Sequence, residues 1–438
     1  MKAHDLVIIG GGVAGTMAVL AAAAQGLDVA WIDGGIGPEH QSAHWHGHLH
    51  RGRLYDPIRE ARLIEELAEN TPFWWSDAVR PFHEEIETIA IGPDERWAEN
   101  FRRRLANASE GMSGASYLRS DVLAVRTDEA ILDGPAFLDA AWQAAAAASL
   151  RLVGRCTRLQ QSADGSWRAE VDGSRTPLIP IHGQAVILAT GTFVPELIPP
   201  SLQLDRHFSA RLSRMLVFRG ALPRTAAIVP SRSAGGLFFA SREIPGLQSS
   251  ASQRAWLISD GFSSPGTYSP GALTDGWWTC SLIERLTGFV REDVFEDVVV
   301  GGYLAPKSRL ASSPTEVPSE GFAIDADRTF VALTPSKWST APTSAIKAVQ
   351  ALTHAATTTQ HLMKKQNLLE RMSEMIGSQT SGTVAPFTET WQTVSAWVPF
   401  ATLTTPGLAT LESAASIFDQ ETERVGASSP RRRRRRAP

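Results

Sequence analysis

Cysteine is scarce in this chain, with only Cys156 and Cys280 among 438 residues. Two distant cysteines supply no disulfide framework and no CxxC or Cys/His metal spacing, and they fit a reducing cytoplasm. Long apolar runs are also missing. No window approaches the roughly 18 uninterrupted apolar residues of a membrane span. The apolar start lacks a cleavage site and is read as part of the fold, not as a signal peptide. No basic stripe of the kind that binds nucleic acid crosses the chain. Basic residues concentrate instead in Arg431 to Arg436; removing those six from the 42 Lys and Arg leaves 36 against 46 acidic residues, a balance of −10. Like charges in a block repel, so residues 426–438 are expected to form a disordered tail. An anionic partner would fit such a tail, but a plain solvated end explains it equally and more simply. No internal repeat is present. What remains, 43% apolar and 20% charged residues, is the composition of a globular protein long enough for two joined domains.

The glycines at the front say most. Gly10-Gly11-Gly12-Val13-Ala14-Gly15 follow the apolar run Leu6 to Ile9 and open an alanine-rich segment from Thr16 to Ala24. A second apolar run, Asp28 to Ile32, ends in Asp33, which is followed by Gly34. The pattern predicts strand, turn, helix and strand, the unit that holds a dinucleotide. Gly10 permits the tight turn, Gly12 the approach of backbone to a pyrophosphate, and Gly15 close packing of helix on sheet. The helix N-terminus at Val13 and Ala14 offers N–H groups and positive potential to phosphate. Asp33, 23 residues after Gly10, is placed to accept a ribose hydroxyl and to repel a 2′-phosphate.

Further along, spacing predicts helices from Pro57 to Glu69, Pro93 to Ala106 and Pro135 to Ala148, and a strand over 85–91. Strands are expected at 151–155 and 166–171 about an Asp164-Gly165 turn, then a buried strand from Gln184 to Leu188 ending in Ala189-Thr190-Gly191. Between Pro195 and about Asp325, strands at 225–229, 236–240, 255–259 and 296–303 alternate with Ser/Pro/Gly-rich loops, reading as a mostly antiparallel sheet. The first pattern returns with a strand over 328–333, the segment Pro335 to Pro342, and a helix from about Thr343. Residues 359–376 and 408–424 read as helices. Five of the 11 histidines fall at 40, 44, 46, 48 and 50. A metal site is not expected there, because acidic and cysteine ligands at matching spacing are missing nearby.

The order of these pieces resembles the flavoprotein oxidoreductases typified by D-amino acid oxidase, glycine oxidase, L-2-hydroxyglutarate dehydrogenase and FAD-linked glycerol-3-phosphate dehydrogenase. Four motifs carry the resemblance: the N-terminal unit with Asp33; Leu49-His50-Arg51-Gly52-Arg53-Leu54-Tyr55, similar to a His-x-Gly loop beside the isoalloxazine ring; Val186 to Gly191; and Ser336-Lys337-Trp338-Ser339-Thr340-Ala341-Pro342, similar to a turn against the flavin's pyrimidine edge. In the last, Pro335 and Ser336 stand where the family has paired glycines. Arg151 to Leu159 resembles the strand beside the adenine, which would put Cys156 there. The resemblance implies an α/β fold: a doubly wound, Rossmann-like FAD-binding domain (residues 1–80, 115–195 and 322–358) with an inserted α+β substrate domain (81–114 and 196–321). A helical extension over 359–425 follows. It implies FAD as cofactor, held by Gly10, Gly12, Val13, Ala14, Gly15, Asp33, Gly34, His50, Gly52, Cys156, Ala189, Thr190, Gly191, Lys337, Trp338, Ser339 and Thr340.

Lys337 also makes sense by itself, because a cation beside N1 and O2 stabilises reduced flavin. His48 and His50 are candidate hydrogen-bond partners, bases or attachment points for the flavin. Arg232, Tyr303 and Arg309 are candidates for substrate contact, arginine because its fork matches a carboxylate; Lys307 lies in the same run. The expected function is hydride transfer to flavin N5 from a C–N or C–O bond of a small amino acid, amine or hydroxy acid. The acceptor that reoxidises the flavin, oxygen or another, is open. A flavin-dependent monooxygenase is the alternative, although a second GxGxxG and the aromatic hydroxylases' late turn are missing. A non-catalytic nucleotide-binding protein is the third reading. The expected setting is the cytoplasm.

Overall fold

Leu6 to Ile9 are all buried, and they form the inner part of a strand, His4–Ile9. The glycine turn leads from it into a helix, Val13–Ala24, whose small side chains let it lie close on the sheet. The next strand, Val29–Asp33, returns parallel to the first, with Leu6 opposite Val29 and Ile9 opposite Ile32. The computed structural model describes residues 3–36, 40–53, 55, 57–58, 60–92, 95–104, 114–173, 176–204, 208–229, 237–244, 253–260, 263–265, 276–310, 321–335, 337–356, 364–379, 389, 392, 394, 397–400 and 403.

Around this unit an eight-stranded sheet runs in the order Phe322–Ile324, Phe330–Leu333, Thr176–Leu188, His4–Ile9, Val29–Asp33 and Leu150–Val153. Its inner pairs are parallel, as a sheet covered on both faces requires. Helices Val13–Ala24, Gly134–Ala147, Ala341–Ala356 and Lys365–Gly377 share one apolar cluster on one face. The other face is covered by a meander of strands Arg155–Gln161 and Trp167–Gly173 and a short helix, Val194–Leu197. Asp164-Gly165 turns that hairpin as expected, with Gly165 at φ +83°.

A nine-stranded sheet forms the second body, in the order Val398–Pro399, Val299–Leu310, Phe208–Ala221, Gln253–Ser259, Leu237–Glu243, Thr225–Val229, Glu87–Gly92 and Leu123–Arg126, with Ser263–Pro265 on its side. Every pair is antiparallel except Thr225–Val229 with Glu87–Gly92. Helix Gly276–Thr287 covers one face through Trp278, Leu282 and Leu286. A small third sheet, His48–Leu49 with Ala130–Leu132 and His83–Glu84, joins the histidine loop to the segment that returns to the first body.

Two boundaries move. Residues 115–126, expected in the first domain, belong to the second: Leu118 bridges Val290, and Leu123–Arg126 pairs with Glu87–Gly92. The C-terminal extension is not helical throughout, because Val398–Pro399 adds a strand beside Val299 and Val300. The helix expected at 408–424 and the tail at 426–438 lie outside the described residues. No helix among the described residues is long and apolar enough to cross a membrane.

Candidate active site

The glycine turn is built by close backbone contact. Gly10 sits at φ +125°, and a Cβ there would stand 2.3 Å from the Ala189 carbonyl oxygen. A Cβ on Gly15 would stand 2.0 Å from the Gly10 carbonyl oxygen. The turn is thereby pressed onto Ala189-Thr190-Gly191, where the Ala189 N–H donates to the Ile9 carbonyl at 2.8 Å. Gly12 caps the helix without a side-chain cap, and its first turn has no acid, leaving positive potential facing outward. Ser42 Oγ accepts the Val13 N–H at 3.1 Å.

Asp33 is fully buried at the end of its strand. One oxygen accepts the Gly35 N–H at 2.8 Å, and the other faces the Arg151 guanidinium, whose Nε is 3.2 Å away. Arg151 also lies over Trp31 and Trp142 at 5.0 and 5.6 Å. The expected repulsion of a 2′-phosphate by Asp33 is therefore offset by a cation that sequence spacing did not reveal. Register reveals it: Arg151 stands opposite Trp31 on the neighbouring parallel strand. Cys156 packs in the apolar cluster with Ile9, Ile32 and Val186, and burial pushes its thiol up to about 11.

The histidine loop forms the other end. His46, His48 and His50 are all buried. Strand pairing of His48 with Ile131 brings the loop against Glu129, also buried. Glu129 Oε2 lies 2.7 Å from His48 Nε2 and 3.8 Å from His50 Nδ1. Oε1 accepts the backbone N–H groups of Arg51 and Arg53 at 3.1 and 3.2 Å. Burial would raise the Glu129 carboxyl, but His48 and His50 outweigh it and hold the group well below its usual range. His50 is pushed down to about 3 by burial and by His48, against the pull of Glu129. His46 also lies well below its usual value, through burial first and then His50, His48 and two lysines.

Those lysines are Lys307 and Lys337. Each is brought down to about 8, chiefly by burial, and Lys337 further lowers Lys307. Lys337 Nζ lies 5.0 Å from the Tyr55 ring centroid. Neither lysine has an ion-pair partner among the described residues. Lys337 begins a tight turn, Trp338–Thr340, which runs into helix Ala341–Ala356. Trp74 Nε1 donates to the Ser339 carbonyl at 2.8 Å, and Asn70 brackets Thr343 by accepting its N–H at 3.0 Å and donating to its Oγ1 at 2.7 Å. Trp338 stacks on Trp45 with centroids 4.2 Å apart. Tyr303 is buried and donates to the His44 carbonyl at 3.4 Å. Phe238 packs on His46 at 4.3 Å.

His48, His50, Tyr303 and Lys337 thus converge with Lys307, Tyr55 and Glu129. Gly52 turns at φ +91° beside them. Arg232 and the Arg309 side chain lie outside the described residues. Glu129 is the main residue that spacing missed. It corrects the premise that no acid lies near the histidines: donor atoms of His48, His50 and Glu129 lie within 4.8 Å of one another. Its only local signal is an acid preceding the short apolar run Ala130 to Leu132. Arg242 was missed too. Fully enclosed beneath the loop, it donates to Glu84 Oε1 at 2.6 Å, the Leu132 carbonyl at 2.8 Å, and both Glu389 oxygens at 2.9 and 3.0 Å.

A βαβ glycine turn at one end and a buried cluster of lysines and histidines at the other suit a dinucleotide-dependent redox protein. The profile of the family described as DAO, FAD dependent oxidoreductase, matches residues 5–262, more than half the chain; the protein belongs to that family, and FAD is its cofactor. No curated protein sequence matches it. Solved structures agree on the fold. A glycine oxidase from Geobacillus kaustophilus has a TM-score of 0.57 at 16% identity, over 82% of this chain and 97% of that one. NikD, an unusual amino acid oxidase essential for nikkomycin biosynthesis, has 0.56 at 17%, over 82% and 96%. A glycerol-3-phosphate dehydrogenase from Bacillus halodurans, complexed with FAD, has 0.51 at 14%; 81% of this chain spans 65% of that one. The residues here fit FAD: glycines press the turn flat, and the buried Thr190 Oγ1 has no hydrogen-bond partner among the described residues.

Proposed function

We propose that the protein oxidises a C–H bond next to nitrogen or oxygen in a small amino acid, amine or hydroxy acid. The observation that carries this reading is the convergence of two burial-depressed lysines, without an ion-pair partner among the described residues, with a histidine held neutral. Bound FAD would supply the hydride acceptor at its N5. Lys337, at the start of a helix, would hold positive charge toward the flavin's pyrimidine edge. Lys307 would orient an anionic substrate group, and the buried Tyr303 and Phe238 would keep water from it.

The proton inventory favours an amine as the first substrate class to try. At about 3, His50 is neutral at pH 7 but a weak proton acceptor, and the lysines near 8 are mostly protonated there and so poor bases. An amine that enters neutral needs no separate base; a hydroxyl does. The test is anaerobic mixing of the purified yellow holoprotein with panels of amino acids, amines and hydroxy acids. Bleaching of the flavin without NAD(P)H supports the proposal, while reduction by NAD(P)H alone overturns it in favour of a monooxygenase. Acid denaturation of the same sample tests attachment through a histidine, since a flavin that washes off is not covalently held.

A further inference from the structure

We propose that Glu129 is a positioning residue, whose single carboxylate anchors the His50–Arg53 loop and fixes the rings of His48 and His50 at the flavin end of the site. This rests on the reading of these histidines as lining the site. The two oxygens divide the work. Oε1 holds backbone, through the N–H groups of Arg51 and Arg53. Oε2 holds rings, at 2.7 Å from His48 Nε2 and 3.8 Å from His50 Nδ1. At 2.7 Å the carboxylate oxygen draws hydrogen towards His48 Nε2 by charge, although the approach lies off hydrogen-bond geometry. The His48 backbone N–H in turn donates to His46 Nδ1 at 3.2 Å, which puts the His46 proton on Nε2. One carboxylate therefore faces the rings of His48 and His50 and holds the backbone that follows them.

Glu129 is itself held. Thr88 Oγ1 donates to its carbonyl at 2.9 Å, and the Thr127 N–H donates to the Thr88 carbonyl at 2.8 Å. The adjacent Asp128 works differently: it pairs with the side chains of Arg51 at 2.7 Å and Arg53 at 2.9 Å, nearer solvent. Charged and titratable groups facing the carboxylate are His48, His50, Arg53 and Tyr55 from the loop and Lys337 from the turn opposite. Replacing the acid by an amide keeps an acceptor for the two backbone N–H groups and removes the negative charge from this enclosure.

The test compares holoproteins of wild type, Glu129→Gln, Glu129→Asp and Asp128→Asn, reading FAD stoichiometry, FAD affinity and flavin midpoint potential by dye equilibration. None of these readouts needs a substrate, so failure here is distinct from failure of the proposed oxidation. Glu129→Gln is expected to keep FAD while moving the potential positive, because reduced flavin no longer faces that negative charge. Glu129→Asp keeps charge but loses reach; its potential should stay near wild type and its FAD affinity fall about tenfold. If Glu129→Gln fails to accumulate, Glu129→Asp carries the test, and unchanged affinity there overturns the proposal. Asp128→Asn should leave the potential unmoved. A wild-type potential in Glu129→Gln overturns the positioning role, and so does a stoichiometric metal ion that wild type retains and Glu129→Gln loses.

Discussion

At pH 7 Lys307 and Lys337 are still protonated, and the fold must enclose both charges. Their folded values near 8 lie below the ordinary 10.5 of the unfolded chain. Between those values the unfolded state binds more protons, so stability rises with pH from about 8 to 10.5. Replacing one lysine by an apolar side chain of similar length removes the penalty at neutral pH. Lys307→Met apoprotein is expected to gain about 1 kcal/mol at pH 7, after solvent screening, with the gain shrinking by pH 10. Chemical denaturation at the two pH values checks this. Lys337→Met should move the flavin potential negative, since a cation stabilising the reduced form is lost; spectroelectrochemical titration reads it. Single residues were unevenly legible. Lys337 and the histidines were singled out by motif and the fold brings them together, but Glu129 was not, because its partners lie 78 and 76 residues away and meet it only through strand pairing.

Elements follow the sequence where local preference and packing agree. The glycine turn is the clearest case, and Gly10→Ala tests it. With φ +125° and a carbonyl oxygen 2.3 Å from the new Cβ, the turn must open away from Ala189. Loss of bound FAD and about 2 kcal/mol or more of stability are expected, read by flavin absorbance and thermal melting. Asn70→Ala tests the start of helix Ala341–Ala356 instead, leaving the Thr343 N–H without its buried acceptor. That should cost about 1–3 kcal/mol by chemical denaturation. Phe208–Ala221 and Gly276–Thr287 were not legible. Arginines at 211, 214 and 219 break the apolar pattern of the first, and adjacent tryptophans mask the helical period of the second. The two-residue strands at His48–Leu49 and His83–Glu84 carry no local signal, being ordered by tertiary pairing alone.

Across the whole molecule, Arg242 ties parts that are distant in sequence. It sits on the nine-stranded sheet, grips Glu84 and the Leu132 carbonyl on the small sheet, and holds Glu389 near the C-terminus. Arg242→Met would remove the cation that two enclosed carboxylates share and should cost about 3 kcal/mol at pH 7. Burial, partly offset by Arg242, already raises the Glu84 carboxyl. Without the arginine, protonation relieves the strain, so the loss should be smaller at pH 5; thermal melting at both values decides it. The two-body plan was legible from the return of the nucleotide-binding pattern at 328–342. The crossing at 115–126 was not, since a strand's sheet is chosen by its neighbours and not by its own residues.

Gly47 adds a consequence. It turns at φ +88° between His46 and His48, and a Cβ there would stand 2.8 Å from Arg242 Nη1. The histidine loop therefore has no room for a side chain at this turn while the ionic staple stands beneath it. Diverging descendants are therefore expected to keep or abandon Gly47, Arg242, Glu84 and Glu389 together.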